Sequence, residues 1–119
     1  MAQSHELGRR SETIAAEYLK QRGYAILERN YRVGHKEIDL IARRQTLIAF
    51  VEVKARAGAG YGHPLEAITW AKRREVAYVA RVWIAANGQS EMTYRFDAIA
   101  IVWSGNLPLI EHVPNAWSL

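Results

Sequence analysis

The sequence predicts an α/β fold, a mixed β-sheet with helices packed on it, carried by a single domain over residues 1–119. Two observations predict it. Apolar residues recur at helical spacing near the N-terminus and again after Pro64, while β-rich runs fill the interval between and return after Gly88. The expected order is αβββα followed by one or two further strands. A chain of 119 residues, half of them apolar and 24% charged, has the size and composition of one globular domain.

From Ser4 to Arg22, Leu7, Ile14, Ala15, Tyr18 and Leu19 form the stripe of an amphipathic helix, and Gly23 is its stop. Tyr24 to Arg32 reads as a short strand. The run EIDLIARRQTLIAFVEVKAR then places two β-rich segments on either side of the polar Arg43–Thr46, which predicts an antiparallel hairpin although no Gly or Asn marks the turn. AGAGYGH reads as a loop, and Pro64 suits the start of a helix that runs to about Ala86, with a break near Thr69 and Asn87-Gly88 closing it. Thr93 to Trp103 returns to a strand. After the turn SGNLP, Leu109 to Val113 adds another.

Composition narrows the chemistry. With no cysteine, disulfides, thiolate zinc sites and thiol nucleophiles are excluded, and a reducing compartment fits. The N-terminus lacks a secretory apolar segment, and Glu52, Arg81 and Asp97 interrupt the apolar stretches short of a membrane span, so a cytoplasmic protein is expected. Twelve Arg and four Lys against twelve acids give a net charge of +4 and a pI near 9.6. An excess of planar guanidinium groups suits phosphate, which they can bind with two parallel hydrogen bonds.

The hairpin concentrates the unusual residues. With the turn centred between Gln45 and Thr46, Asp39 falls opposite Glu52 and Glu37 opposite Lys54, all four on one face. Opposed side chains have Cβ atoms roughly 4.5–5.5 Å apart. The other face would carry Ile38 with Val53, Leu40 with Val51 and Ala42 with Ala49, an apolar set that belongs in the core. Two facing carboxylates beside an apolar sheet repel unless one is protonated or a cation neutralises them. Mg²⁺ accepts one or two carboxylates, completing its shell with water and phosphate oxygens, and Lys54 would stand near that water or the phosphate. The alternative is an exposed sheet face with a Glu37–Lys54 ion pair and solvated acids.

Asp39, twelve intervening residues and then Glu52-Val53-Lys54 resemble the D-(x)n-E-x-K core of PD-(D/E)XK nucleases, with spacing similar to that of archaeal Holliday junction resolvases. More of the chain resembles the UPF0102 (YraN-like) family of small bacterial endonuclease-like proteins. The matching residues are Gly8, Glu12, Ala15, Tyr18 and Leu19, then Gly23-Tyr24, Arg29-Asn30, EIDLIA from Glu37, FVEVKAR from Phe50, Lys72, and RFD from Arg95. Lys36 stands where the family usually has Gly. The resemblance implies a restriction-endonuclease-like mixed sheet flanked by helices and a Mg²⁺- or Mn²⁺-dependent endonuclease acting on DNA, with branched or structured DNA as the expected substrate. Asp39, Glu52 and the Val53 carbonyl would hold the metal, Lys54 would position or activate water, and Glu12 would complete the site directly or through water. A homodimer is the further expectation, with no interface legible in the residues.

Each supporting residue also has an ordinary reading. Glu12 borders the first helix's apolar stripe and, by position alone, reads first as a solvated acid. Lys72 sits amid Ile68, Val76, Val79 and Trp83, where it either extends to solvent or aims its ammonium at the carboxylates. Arg43, Arg44, Arg56, Arg73 and Arg74 are candidates for nucleic-acid backbone contacts, and each singly reads as a solvated charge. His5, His35, His63 and His112 are too dispersed for a zinc motif and read as loop or surface residues. Two rival functions remain: a nucleic-acid-binding module on the same fold that no longer cuts, and a protein-interaction subunit anchored by exposed Trp70, Trp103 and Trp117.

Overall fold

A computed structural model describes residues 2–57 and 64–118. Helix α1 (Ala2–Gln21) is followed by strands β1 (Ala25–Val33), β2 (Lys36–Arg44) and β3 (Leu47–Ala57), a 3-10 turn at Pro64–Ala67, helix α2 (Trp70–Asn87), and strands β4 (Thr93–Ser104) and β5 (Leu107–Trp117). The order is αβββαββ, so the second of the two optional C-terminal strands is present. The glycine-rich loop expected before Pro64 lies, from residue 58 to 63, outside the described residues.

Local chemistry explains the boundaries. α1 ends in a Schellman motif: Gly23, at φ 89°, donates to the Lys20 carbonyl, and Tyr24 donates to that of Leu19. Tyr24 and Leu19 then pack in the same core. The expected break near Thr69 is a helix start, where the Thr69 hydroxyl accepts the Lys72 amide at 3.1 Å. Gly88 closes α2 through its amide bond to Ile84 O at 2.7 Å. A Cβ there would lie 2.6 Å from that same oxygen and 2.9 Å from the Tyr94 hydroxyl, which leaves room only for glycine.

One five-stranded sheet runs β1-β2-β3-β4-β5. β1, β2 and β3 form an antiparallel meander, β3 and β4 are parallel across the α2 crossover, and β4 and β5 form an antiparallel hairpin. The β2–β3 register is the expected one, with Leu40 opposite Val51, Ile41 opposite Phe50 and Ala42 opposite Ala49. Its turn needs a left-handed residue, and Gln45 supplies it at φ 56°. The Arg43 side chain braces that turn by donating to the Gln45 carbonyl at 2.9 Å.

Both faces of the sheet are covered. α1 packs Ala15, Ala16 and Leu19 against Leu40, Ala42, Ala49, Val51, Ile99, Ile101 and Trp103. α2 packs Val76, Val79 and Trp83 against Ile41, Ile48 and Phe50. The face that carries the acids is therefore apolar and buried toward the turn. Beyond Leu40–Val51 the expected register fails: Asp39 does not pair with Glu52, Ile38 with Val53 or Glu37 with Lys54, and Ile38 joins the α2-side core with Ile41, not the α1-side set with Leu40. Strict alternation is lost at Asp39, the point where β2 parts from β3.

Candidate functional site

The parting of β2 and β3 makes the site. Their ladder runs from Arg44–Leu47 to Leu40–Val51 and stops there. Beyond it β2 stays with β1 as far as Lys36–Val33, while β3 stays with β4 as far as Ala57–Trp103. The sheet thus forks into two leaves, and Asp39 and Glu52 are the first residues inside the fork. A fork leaves inner backbone groups without ladder partners. Asp39 compensates for one of them, its Oδ2 accepting the Val53 amide at 2.8 Å.

Both carboxyls are buried, Asp39 at 8% exposure and Glu52 at 2%. Burial first, and then the Asp39 charge and a hydrogen bond with the Asp39 carboxyl, push the Glu52 pKa up to about 9, against the opposing pull of Lys72 and Lys54. Glu52 Oε1 is buried without a hydrogen-bond partner. Its Oε2 lies 3.6 Å from the Lys72 ammonium. Lys54 is half-buried on the same side of β3 and close enough for its charge to act on Glu52. The Glu37–Lys54 ion pair of the solvated-face alternative does not form, because Glu37 Oε2 pairs with Arg32 Nε at 2.9 Å.

α1 brings Glu12 to the Asp39 side of the fork. Its pKa is raised, chiefly by burial and then by the Asp39 charge, against a hydrogen bond with Asn30 and the charge of Arg29. Asn30 adopts φ 52° in β1. Arg29 is steadied close by, donating to the Thr13 hydroxyl at 3.1 Å.

Of its two alternatives, Lys72 takes the one that faces the carboxylates. Its ammonium donates to Glu75 Oε2 at 2.7 Å and to the Glu37 carbonyl at 3.4 Å, besides its approach to Glu52. Burial disfavours its charge, but the Glu75 bond and the neighbouring carboxylates outweigh that and hold its pKa above the ordinary lysine range. Glu75, which sequence reasoning passed over, also accepts the Glu37 amide at 3.4 Å. The signal was there: Glu75 follows Lys72 at i+3, where a helix makes neighbours.

The arginines divide. Arg43 and Arg44 are exposed but sit at the turn end of β2, roughly 13–17 Å along the strand from Asp39 at about 3.3 Å per residue. Arg44 is stacked on Tyr24 and donates to the Arg22 carbonyl. Arg56 lies on β3 two residues past Lys54, half-buried, and Arg74 is exposed on α2. Arg73 departs from its surface expectation. It is 8% exposed, with Nε bonded to the Ile68 carbonyl at 2.9 Å.

A second polar cluster lies under α1, on β4 and β5, with Asp97 one strand over from Val51. Asp97, fully buried, takes two bonds from Arg95 at 2.7 and 2.8 Å and one from the Asn115 amide at 3.0 Å. His112 Nε2 stands 2.8 Å from Asp97 Oδ2, so the ring donates there, and Nδ1 faces the Tyr18 hydroxyl at 3.2 Å. His112 is thus not a loop or surface residue. A lone acid heading the apolar run DAIAIVW was the available clue, since a buried carboxylate needs partners.

Trp103 and Trp117 are buried at 4% and 6%, which removes two of the three proposed tryptophan anchors. Among the described residues no three His, Asp or Glu side chains stand together as a ready set of metal ligands, and no helix is long and apolar enough to cross a membrane.

Comparison with known proteins gives the lineage. A protein of Geobacter metallireducens is 45% identical over 113 residues, covering 95% of this chain and 93% of its own length. One from Trichlorobacter lovleyi is 46% identical over 115 residues, with 95% and 91% covered, and one from Clavibacter michiganensis is 43% identical over 117, with 98% and 99% covered. All three carry the name UPF0102 protein. The family model described as uncharacterised protein family UPF0102 matches residues 11–101, a span that holds Glu12, the whole fork and α2, and the chain belongs to the UPF0102 family.

Proposed function

We propose that this protein is a metal-dependent endonuclease of the PD-(D/E)XK type that hydrolyses phosphodiester bonds in DNA, with branched or otherwise structured DNA as its substrate. One observation carries the reading: Asp39 and Glu52 are buried together at the fork, with no donor reaching Glu52 Oε1 and its carboxyl driven to hold a proton at neutral pH. A fold gains nothing in stability from such an arrangement, and a cation would resolve it.

The donor set fits Mg²⁺ or Mn²⁺. These hard ions need only one or two carboxylates when water and substrate phosphate oxygens fill the remaining positions, so the absence of a three-acid cluster is no obstacle. Asp39 Oδ1 and Glu52 Oε1 are the oxygens left for the metal, and the Val53 carbonyl adjoins them. When bound, the ion would supply Lewis-acid polarisation of a phosphate oxygen and acidify a bound water. Lys54 would meet the charge that develops on the phosphate, and Glu12 would orient water from the α1 side. Lys72 holds the second charge of the site, kept in place by Glu75.

A second reading has its own support. Lys72 already neutralises part of the Glu52 charge, as it would in a nucleic-acid-binding protein that no longer cuts.

The deciding experiment combines cleavage with metal-linked stability. In Mg²⁺ or Mn²⁺, the wild type should cut one or more of single-stranded, duplex, flap and four-way DNA, and Asp39→Asn should not. A ligand bound only by the folded state adds about 2.7 kcal/mol at a hundredfold excess over its dissociation constant, so millimolar metal should raise the wild-type melting temperature and leave Asp39→Asn unmoved. The amide keeps an oxygen acceptor for the Val53 N–H, so the mutant should fold. Equal metal responses in the two proteins would sink the metal site, and a metal response without cleavage would favour the binding module.

A further inference from the structure

Trp70, which opens α2, is 61% exposed, whereas Trp83, Trp103 and Trp117 lie between 4% and 6%. The exposed indole is held from behind. The Arg73 guanidinium sits 4.3 Å from the centre of its ring, and that guanidinium is itself fixed by the Ile68 carbonyl and by the Trp117 ring, 5.9 Å away. One face of Trp70 therefore rests on a buried, hydrogen-bonded cation while most of the ring is open to solvent. A flat aromatic surface fixed in this way stacks on another flat ring with little loss of side-chain freedom.

The neighbourhood selects the partner. Beside Trp70 on the first turn of α2 stand the guanidinium of Arg73 beneath it and the exposed Arg74 at i+4, with no acid in that turn. An anchor for an apolar protein surface gains nothing from such company, while a nucleotide matches both the ring and the charges. Lys72, two residues on, turns to the opposite side of the helix and reaches Glu52. Trp70 thus stands at least about one helix diameter, ~10 Å, from the fork, a span of at least roughly three nucleotides in a stacked strand at ~3.4 Å each.

We propose that Trp70 stacks on an unpaired base of the substrate, a few nucleotides from the phosphate held at Asp39 and Glu52. The substrate class is then DNA with a single-stranded segment beside the cut, such as a flap, gap or overhang, because the faces of bases within a continuous duplex are already occupied by their neighbours. The inference rests on the endonuclease reading of the fork, but its test does not depend on cleavage.

The full-length chain is titrated, without divalent metal, with a labelled single-stranded oligothymidylate and with a blunt duplex of equal length. Single-stranded DNA should quench the fluorescence of the wild type, whose other described tryptophans are buried. Trp70→Ala should weaken single-strand binding by about tenfold, the scale of one lost base–aromatic stack, while duplex binding and the dependence on salt stay as in the wild type because no phosphate contact is removed. Trp70→Phe should recover most of the loss, and unchanged melting temperatures exclude a folding defect. Equal single-strand binding by wild type and Trp70→Ala, parallel loss on both DNAs, or no single-strand binding by the wild type each overturns the proposal. If Trp70→Ala still cuts as the wild type does, on duplex and flap alike, stacking fails and the nuclease reading survives. Trp70-dependent binding without any metal-dependent cutting leaves stacking standing and removes the nuclease.

Discussion

At the scale of single residues, Glu52 is the group on which the proposed chemistry and stability pull in opposite directions. Its carboxyl goes from an ordinary value of 4.5 to about 9 on folding, so the native state holds a proton that the unfolded chain has released. Its stabilising contribution is complete below about pH 4.5 and is lost as pH rises towards 9. Metal-free Glu52→Gln should therefore be more stable than the wild type at about pH 8, with the difference shrinking on approach to about pH 5, and thermal scans across that range check it. A solvated Glu52 would show no such trend. Strand period and turn position foretold that β3 puts Glu52 and Lys54 on one side, but not how Asp39 meets Glu52, since β2 and β3 part at Leu40–Val51 and strict alternation is lost at Asp39. Glu75 and the Arg32–Glu37 pair were not legible in the sequence, because they join elements whose relative placement no local pattern states.

Among elements, the hairpin was the most readable and the C-terminal pair the least. The β2–β3 register followed from two apolar runs of matched length, even though the turn relies on Gln45 in a left-handed conformation and not on glycine. What the period could not reveal was where the ladder stops, since pairing ends for reasons of sheet twist and of the neighbours each strand keeps. The Asp97 cluster ties α1, β4 and β5 together through Tyr18, Arg95, His112 and Asn115. Burial pushes the Asp97 pKa up, but the bonds from His112, Arg95 and the Asn115 amide outweigh it and hold it below the ordinary 3.8. A depressed carboxylate contributes stability that is present above its unfolded pKa and is lost as pH falls through the folded one. Acid unfolding below about pH 3.8 should therefore depend on Asp97. Asp97→Asn should cost on the order of 3–5 kcal/mol at neutral pH by leaving buried partners unpaired, with the gap to wild type narrowing in acid, as read from urea midpoints. A constant gap across that pH range would refute the assignment.

For the molecule as a whole, the sheet is a partition with a core on each side, and Phe50 is the centre of the α2 side. It is fully buried and meets the rings of Trp83, Tyr94 and Phe96 at centroid distances of 5.8, 6.1 and 5.8 Å. Phe50→Ala should cost about 3–5 kcal/mol in denaturant melts. A loss under about 1 kcal/mol would mean that the aromatic cluster collapses around the cavity. Because Phe50 precedes Glu52 on the same face of β3, a milder Phe50→Leu variant should disturb the fork more than its stability loss suggests. The two cores were foreseeable from two amphipathic helices and one sheet. Trp103 and Trp117 could not be assigned to them by period alone, since β4 is an inner strand that feeds both cores and β5 is the sheet's edge.

The bond from Asp39 to the Val53 amide has a consequence for descent. In a lineage that abandons the proposed chemistry, drift acts on each side chain according to what else that side chain does. Asp39 would still be retained, because losing it strands a backbone N–H in the fork, and only residues offering an equivalent acceptor, such as Asn, could replace it cheaply. Glu52 has no such backbone task, and without the proposed ion its buried carboxyl is a burden, so it would be the first to go, most readily to Gln or an apolar residue. The persistence of an aspartate at this position is thus a weak sign of an active enzyme, and the persistence of the glutamate thirteen residues later is a strong one.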